Sequence, residues 1–308
     1  MAAATPLRRP RRRPTGWCFA ANREPRMTQA ITSELRQWII AQAQAGQGAE
    51  AVLQAMKASG WDEAVAIEAM ESTLRAHLDE QAAAQALPPA VPVPEPDLSG
   101  APLYLDGGDR PVAVLGTMAT PRVVMLGGLL SDDECEALMA AARPRMSRSL
   151  TVATQTGGQE VNADRTSQGM FFTRGESDLV ARIEARIARL VRWPVERGEG
   201  LQVLRYVPGT EYKPHYDYFD PDQPGTATLL RRGGQRVGTV VIYLNEPERG
   251  GATTFPDAGL NVAPQRGNAV FFSYARPHPG TRTLHGGAPV LAGEKWIATK
   301  WLRERIFE

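Results

Sequence analysis

A mainly β protein with flanking helices, preceded by a small helical bundle, is the fold class this sequence predicts. Three observations carry it: apolar residues at helical spacing over 28–82, a proline-rich stretch over 83–100, and short alternating runs cut by glycine and proline beyond Pro194.

In chain order, residues 1–27 form a basic extension that shows neither period and is expected to be disordered. Thr32-Ser33-Glu34 opens a first helix. A second spans 49–59, with Val52, Leu53 and Met56 on one face. Gly60 stops it, because glycine enters the left-handed conformation of a helix end without a Cβ clash. Trp61-Asp62-Glu63-Ala64 begins a third helix, with Val65, Ile67, Met70 and Leu74 as its apolar positions. Pro88, Pro89, Pro92, Pro94 and Pro96 then favour extended polyproline geometry, so 83–100 reads as a semi-rigid linker ahead of a separate domain at 101–308. A chain starting near Ser99 is expected to fold without the bundle.

Within that domain 121–126 reads as a strand. Ser131 and Glu134 have the spacing of a capping box at the start of a helix. A second helix covers 176–191, with Leu179, Ile183, Ile187 and Leu190 on one side. Strands are expected at 201–207, 212–218, 238–244, 269–274 and 296–302. Several short strands separated by turns define a sandwich, jelly roll or barrel. No fixed-period repeat is visible.

Charge narrows the function. The net charge is +1, but seven arginines against Glu24 give the first 26 residues +6, leaving −5 for the rest. A mildly acidic body is a poor electrostatic partner for nucleic acid. The basic head reads as a nucleic-acid arm, a targeting peptide, or sequence upstream of a true start at Met27. No 18-residue apolar run exists, so no spanning helix is expected. The two cysteines, Cys18 and Cys135, fit no metal or disulfide pattern, which points to a reducing cytoplasm.

The chemistry lies in the histidines. In a strand, residues two apart share a face, so His215 and Asp217 would project together while Tyr216 points away. One imidazole and one carboxylate give a metal two ligands, and a third from another strand completes a facial triad with three open positions. His285 lies 70 residues beyond His215, enough chain for the strands between opposite edges of a small jelly roll. His278, flanked by Pro277 and Pro279, is the rival third ligand. Lys295 follows His285 by ten residues across a hairpin. On the last strand Lys295, Ile297, Thr299 and Trp301 share a face. A lysine turned into a barrel needs an anion, and the distal carboxylate of a dicarboxylic ligand supplies one.

Several segments match one family in order: Arg165-Thr166-Ser167, Gln202-Val203-Leu204-Arg205-Tyr206, Pro214-His215-Tyr216-Asp217-Tyr218-Phe219, Gly250-Gly251-Ala252-Thr253, Leu284-His285-Gly286-Gly287-Ala288-Pro289-Val290 and Gly293-Glu294-Lys295-Trp296. From about Val123 to Leu302 the chain resembles the prolyl 4-hydroxylases of collagen, plant and bacterial type. The resemblance implies a double-stranded β-helix core of jelly-roll, cupin-like form. It implies Fe(II) on His215, Asp217 and His285, with 2-oxoglutarate and O2 as co-substrates and ascorbate as a further candidate ligand. It places Lys295, Tyr206 and Thr253 around the co-substrate. Arg236, Trp301, Tyr212 and Glu199 are placed along a groove for a proline-containing peptide, with Tyr216 as another aromatic there. The stretch 220–228 is longer than the family pattern suggests and is expected to cover substrate. The bundle resembles ubiquitin-associated modules, implying a protein partner; an appendage with no partner is the alternative.

Other readings use the same residues. An oxygenase acting on another side chain, a free amino acid or nucleic acid would keep the triad, and salt-dependent DNA binding would mark the last. A halogenase would need a small residue in place of Asp217. A non-enzymatic metal-binding jelly roll would have no use for Lys295.

Overall fold

The computed structural model describes residues 30–148, 151–152, 159–160 and 167–308, and its contacts divide the chain into a unit ending at Glu80 and a second from Gln81 to Glu308. The basic extension, Arg165 and Thr166 lie outside the described residues.

The first unit is built by α1 (Ser33–Gln44), α2 (Ala49–Ala58) and most of α3 (Glu63–Ala84). The Thr32 hydroxyl accepts the Leu35 amide, closing the orphan donor that opens α1. Ile39, Val52, Met56, Ala66, Ala69 and Met70 form its core. Val52, Met56 and Met70 fall where helical spacing marks a core, but on α3 Ala66 and Ala69 are buried in place of Val65 and Ile67, and Ile67 is 40% exposed.

The second unit runs β1 (Tyr104–Asp106), β2 (Pro111–Met118), β3 (Arg122–Gly127), α4 (Asp132–Ala142), β4 (Ser147–Arg148), β5 (Thr151–Val152), β6 (Gln159–Glu160), β7 (Gln168–Phe172), α5 (Asp178–Leu190), β8 (Leu201–Tyr206), β9 (Tyr212–His215), α6 (Thr226–Arg231), β10 (Arg236–Tyr243), β11 (Arg249–Gly250), β12 (Thr253–Phe255), β13 (Leu260–Val262), β14 (Ala269–Ser273), β15 (His285–Gly287), β16 (Val290–Ala292) and β17 (Lys295–Arg303). Nine strands form a large sheet in the order β1-β2-β3-β14-β10-β17-β8-β7-β4, and four form a small one in the order β13-β12-β15-β9. This is the two-sheet, mainly β architecture that the sequence predicts. The capping box of α4 is formed as expected.

Each face of the large sheet has its own core. On one, Leu138 of α4 and Ile183 and Ile187 of α5 pack with Leu126, Val203, Ile242 and Ala298. On the other, Val241, Tyr243, Phe272 and Ile297 cluster with Phe255 of the small sheet. With both faces covered, every residue of β10 and β17 is buried, polar ones included. Alternation in these strands therefore separates a chemical face from a packing face rather than solvent from core.

The proline-rich stretch departs from the expected linker. Its extended chain leaves the Val91 and Glu95 amides free to pair, and they donate to the Ala275 and Val191 carbonyls, both at 2.9 Å. Arg276 Nε donates to the Pro88 carbonyl at 2.8 Å, and Glu95 pairs with Arg122. Val91, Val93 and Leu98 pack on the helix-side core. Pro94 closes over Gly238, where a Cβ would come within 2.6 Å of the proline ring. Residues 88–98 are thus a strap on the second unit, so a chain starting at Ser99 would lose part of its core. The long stretch after Asp217 contains α6, a helix the turn-rich composition of 220–228 conceals.

Candidate active site

β9 and β15 are neighbours in the small sheet, with His215 directly opposite His285. This pairing joins histidines 70 residues apart, and their rings lie 4.4 Å apart between centroids. The expected strand over 212–218 stops at His215, and Asp217 sits in the bend that follows. Its carboxylate still meets both rings. Oδ1 is 3.6 Å from His215 Nε2, and Oδ2 is 3.4 Å from His285 Nε2. One ligand atom from each of the three residues lies within 4.8 Å of the others. His278 is not part of this group; its Nδ1 accepts the Gly280 amide at 3.0 Å.

The histidines are pre-set. His215 Nδ1 lies 2.9 Å from the Lys213 carbonyl and His285 Nδ1 lies 3.0 Å from the Thr283 carbonyl. A carbonyl only accepts, so each Nδ1 carries the proton and each Nε2 offers its lone pair. Burial, then the neighbouring His285, lowers the pKa of His215 and favours its neutral form. Burial alone would raise the Asp217 carboxyl, but the two histidines, His285 foremost, hold it well below the usual carboxylate range. A neutral His215 beside an ionised Asp217 suits a divalent cation.

His215, Asp217, His285 and Lys295 line one cavity. Lys295 opens β17 opposite Tyr206 of β8 and is only 3% exposed. Its Nζ lies 5.6 Å from the Tyr206 ring centre and 5.9 Å from that of Tyr243. Among the described residues no carboxylate pairs with it, and burial lowers its pKa to about 8. Gly287 borders the ammonium, and a Cβ there would touch Nζ at 3.9 Å. Thr253 lies beside this pocket, its hydroxyl accepting from Tyr243 at 2.8 Å. A buried, unpaired cation facing a His/Asp/His cluster across one cavity fits a dicarboxylate whose other end chelates a metal.

Several of the residues expected along a groove are joined to one another. Arg236 donates to both Glu199 oxygens, at 2.7 and 2.9 Å, and lies 4.1 Å over the Trp301 ring. Arg303 donates to Glu199 at 2.9 Å. Burial raises the Glu199 pKa, yet Arg236 and Arg303 outweigh it and keep the group ionised. Most of the Arg236 donor capacity is therefore committed inside the protein. Trp301 keeps a buried Nε1 donor with no hydrogen-bond partner among the described residues. Tyr212 stacks on His215 with ring centres 3.7 Å apart and so braces that imidazole. Tyr216 stacks on Tyr218 at 4.8 Å.

Sequence reasoning missed Arg303, Thr239, Tyr243 and Tyr274. Continuing the alternation from Trp301 by one step would have reached Arg303. Thr239 is the one hydroxyl in the apolar run Val237-Gly238-Thr239-Val240-Val241-Ile242, a weak but readable signal. Nothing local marks the two tyrosines.

Fold and site together define an Fe(II)- and 2-oxoglutarate-dependent dioxygenase. The family model for the 2OG-Fe(II) oxygenase superfamily matches residues 201–303. Prolyl 4-hydroxylase 5 of Arabidopsis thaliana is 40% identical over 222 residues, covering 65% of this chain and 74% of its own length. Prolyl 4-hydroxylase 1 of the same plant is 43% identical over 204 residues, covering 60% and 70% respectively. A viral collagen prolyl hydroxylase from Paramecium bursaria Chlorella virus-1, solved with 2OG, is 31% identical with a TM-score of 0.46, over 59% of this chain and 95% of that one. The chain belongs to the prolyl 4-hydroxylase family.

Proposed function

We propose that His215, Asp217 and His285 hold the iron, that Lys295 receives the far carboxylate of 2-oxoglutarate, and that the substrate is a proline in an extended peptide, hydroxylated on its ring. The observation that carries the reading is the unpaired Lys295 ammonium sharing one cavity with the three ligand side chains. Iron held by these residues would supply the redox chemistry by which O2 gives one oxygen atom to the substrate C–H bond and the other to 2-oxoglutarate, which would leave as succinate and CO2.

The protein's part is placement and exclusion of water. Tyr206 and Tyr243 wall the lysine, and Thr253 stands beside it for the same carboxylate. Arg236, locked to Glu199 and stacked on Trp301, keeps the indole fixed, so its free N–H can take a peptide carbonyl. A proline-rich peptide is already stiff and loses little entropy in an aromatic-lined groove. The relatives' names, prolyl 4-hydroxylases, support peptidyl proline as the target. Matched peptides carrying proline or alanine at one position test this. Succinate release coupled to a +16 Da product with proline only is the expected result, and equal coupled turnover of both overturns prolyl specificity.

Three finer readings belong with this proposal. Ascorbate as an accessory ligand rests on the family resemblance, and turnover with and without it is the test. Cytoplasmic location rests on cysteine usage, with Cys135 free, buried and its thiol pushed up to about 11 by burial; cell fractionation checks it. A protein partner for the helical unit rests on its form alone, and a pull-down with residues 28–84 examines it.

A further inference from the structure

We infer that Thr239 and Tyr274 are positioning residues that aim the Asp217 carboxylate at the metal, through a chain of hydroxyl hydrogen bonds from the large sheet.

The need for such a device follows from where β9 ends. Had the strand continued, alternation would have fixed the direction of Asp217 as it fixes that of His215. It stops at His215, so the backbone no longer dictates the side chain's aim. Two contacts from β10 replace it. Arg236 Nη1 reaches the Asp217 carbonyl at 3.4 Å, and Thr239 Oγ1 donates to Asp217 Oδ2 at 2.8 Å.

The direction of the chain is set by chemistry. An ionised carboxylate only accepts, so the single Thr239 proton goes to Asp217. Thr239 Oγ1 lies 3.0 Å from the Tyr274 hydroxyl and must then accept from it. All three groups are buried, and Thr239 is fully so. Thr239 stands mid-strand, paired with Trp301 on one side and Phe272 on the other, and the Tyr274 amide is tied to the Val237 carbonyl. The two donors are therefore fixed by the sheet, and the carboxylate conforms to them. With Oδ2 held by the threonine, Oδ1 is left for the cation, giving a one-oxygen ligand that leaves sites open for a chelating co-substrate.

The inference rests on the proposed ligand set, so the experiment separates the two. Fe(II) affinity is measured anaerobically for the wild type and for Asp217→Ala, Thr239→Val, Thr239→Ser, Tyr274→Phe and the Thr239→Val/Tyr274→Phe pair. The visible charge-transfer band of the Fe(II)–2-oxoglutarate chelate is recorded for each. If Asp217→Ala binds iron as the wild type does, the ligand assignment itself has failed.

Given that it holds, Thr239→Val should weaken Fe(II) binding by about 10–100-fold and shift the band, as loss of a partner behind a metal ligand does. Thr239→Ser should restore both. Tyr274→Phe should have a smaller effect that largely vanishes once Thr239 is valine, because the tyrosine acts through the threonine. Thr239→Val within two-fold of wild type with an unshifted band overturns the inference, as do additive effects of the two substitutions. The serine and phenylalanine variants keep it open to refutation if valine prevents folding.

Discussion

As the proposed anchor of the co-substrate, Lys295 should couple its binding to pH in a way that can be worked out from its surroundings. Its pKa falls from the ordinary 10.5 to about 8 because burial strips water from the ammonium. Below pH 8 the ammonium is charged and ready for the far carboxylate; above it, binding must take up a proton. The dissociation constant for 2-oxoglutarate should therefore be flat below pH 8 and rise about tenfold per unit above it. Lys295→Met removes the slope and weakens binding by about 2–5 kcal/mol, or roughly 30- to 5,000-fold, with iron affinity little changed. The same substitution has an opposite effect on the free protein. The unfolded lysine stays charged to pH 10.5, so the folded state is destabilised below pH 8 and recovers as pH rises from 8 to 10.5. That penalty is about 3 kcal/mol. At pH 7 the Met variant should then unfold at a higher denaturant midpoint than the wild type. Calorimetry at pH 9 in two buffers of different ionisation enthalpy measures the proton uptake directly. A constant affinity up to pH 9.5, or unaltered affinity in Lys295→Met, would refute the reasoning.

Other outcomes follow from the same structure. His285→Ala should abolish Fe(II) binding while His278→Ala leaves it intact, read by metal titration; the reverse result reassigns the third ligand. Trp301→Phe keeps the ring but deletes the unpartnered N–H, so it should raise the peptide KM about 5- to 30-fold, the scale of one buried hydrogen bond, with the KM for 2-oxoglutarate unchanged. A chain starting at Ala86 should fold and turn over, whereas one starting at Ser99 loses Val91, Val93 and Leu98 from the core and should be less stable by about 3–6 kcal/mol in urea unfolding. Equal stability of the two would show that the strap contributes nothing.

The sequence by itself determined the class of fold and marked the three candidate ligands and the lysine. It did so because a strand repeats every two residues. That period places His215 on one face of its strand and sets Lys295, Ile297, Thr299 and Trp301 side by side along β17, all lining one cavity. Helical spacing and caps located the bundle and α4 for the same local reason. What lies across from a face is a different matter, since it depends on segments brought together from far along the chain. Only the pairing of β9 with β15 joins His215 to His285 and leaves His278 aside. Only the packing of β8 against β17 leaves Lys295 between tyrosines with no acid paired to it among the described residues, and only Arg303 arriving beside Arg236 makes Glu199 the centre of a locked network. The linker and the aim of Asp217 belong to this second kind. Polyproline geometry has no face of its own, so its valines became a strap once a sheet and Val191 offered a surface. A residue past the end of its strand takes its direction from whichever donor stands opposite, here a threonine on another sheet.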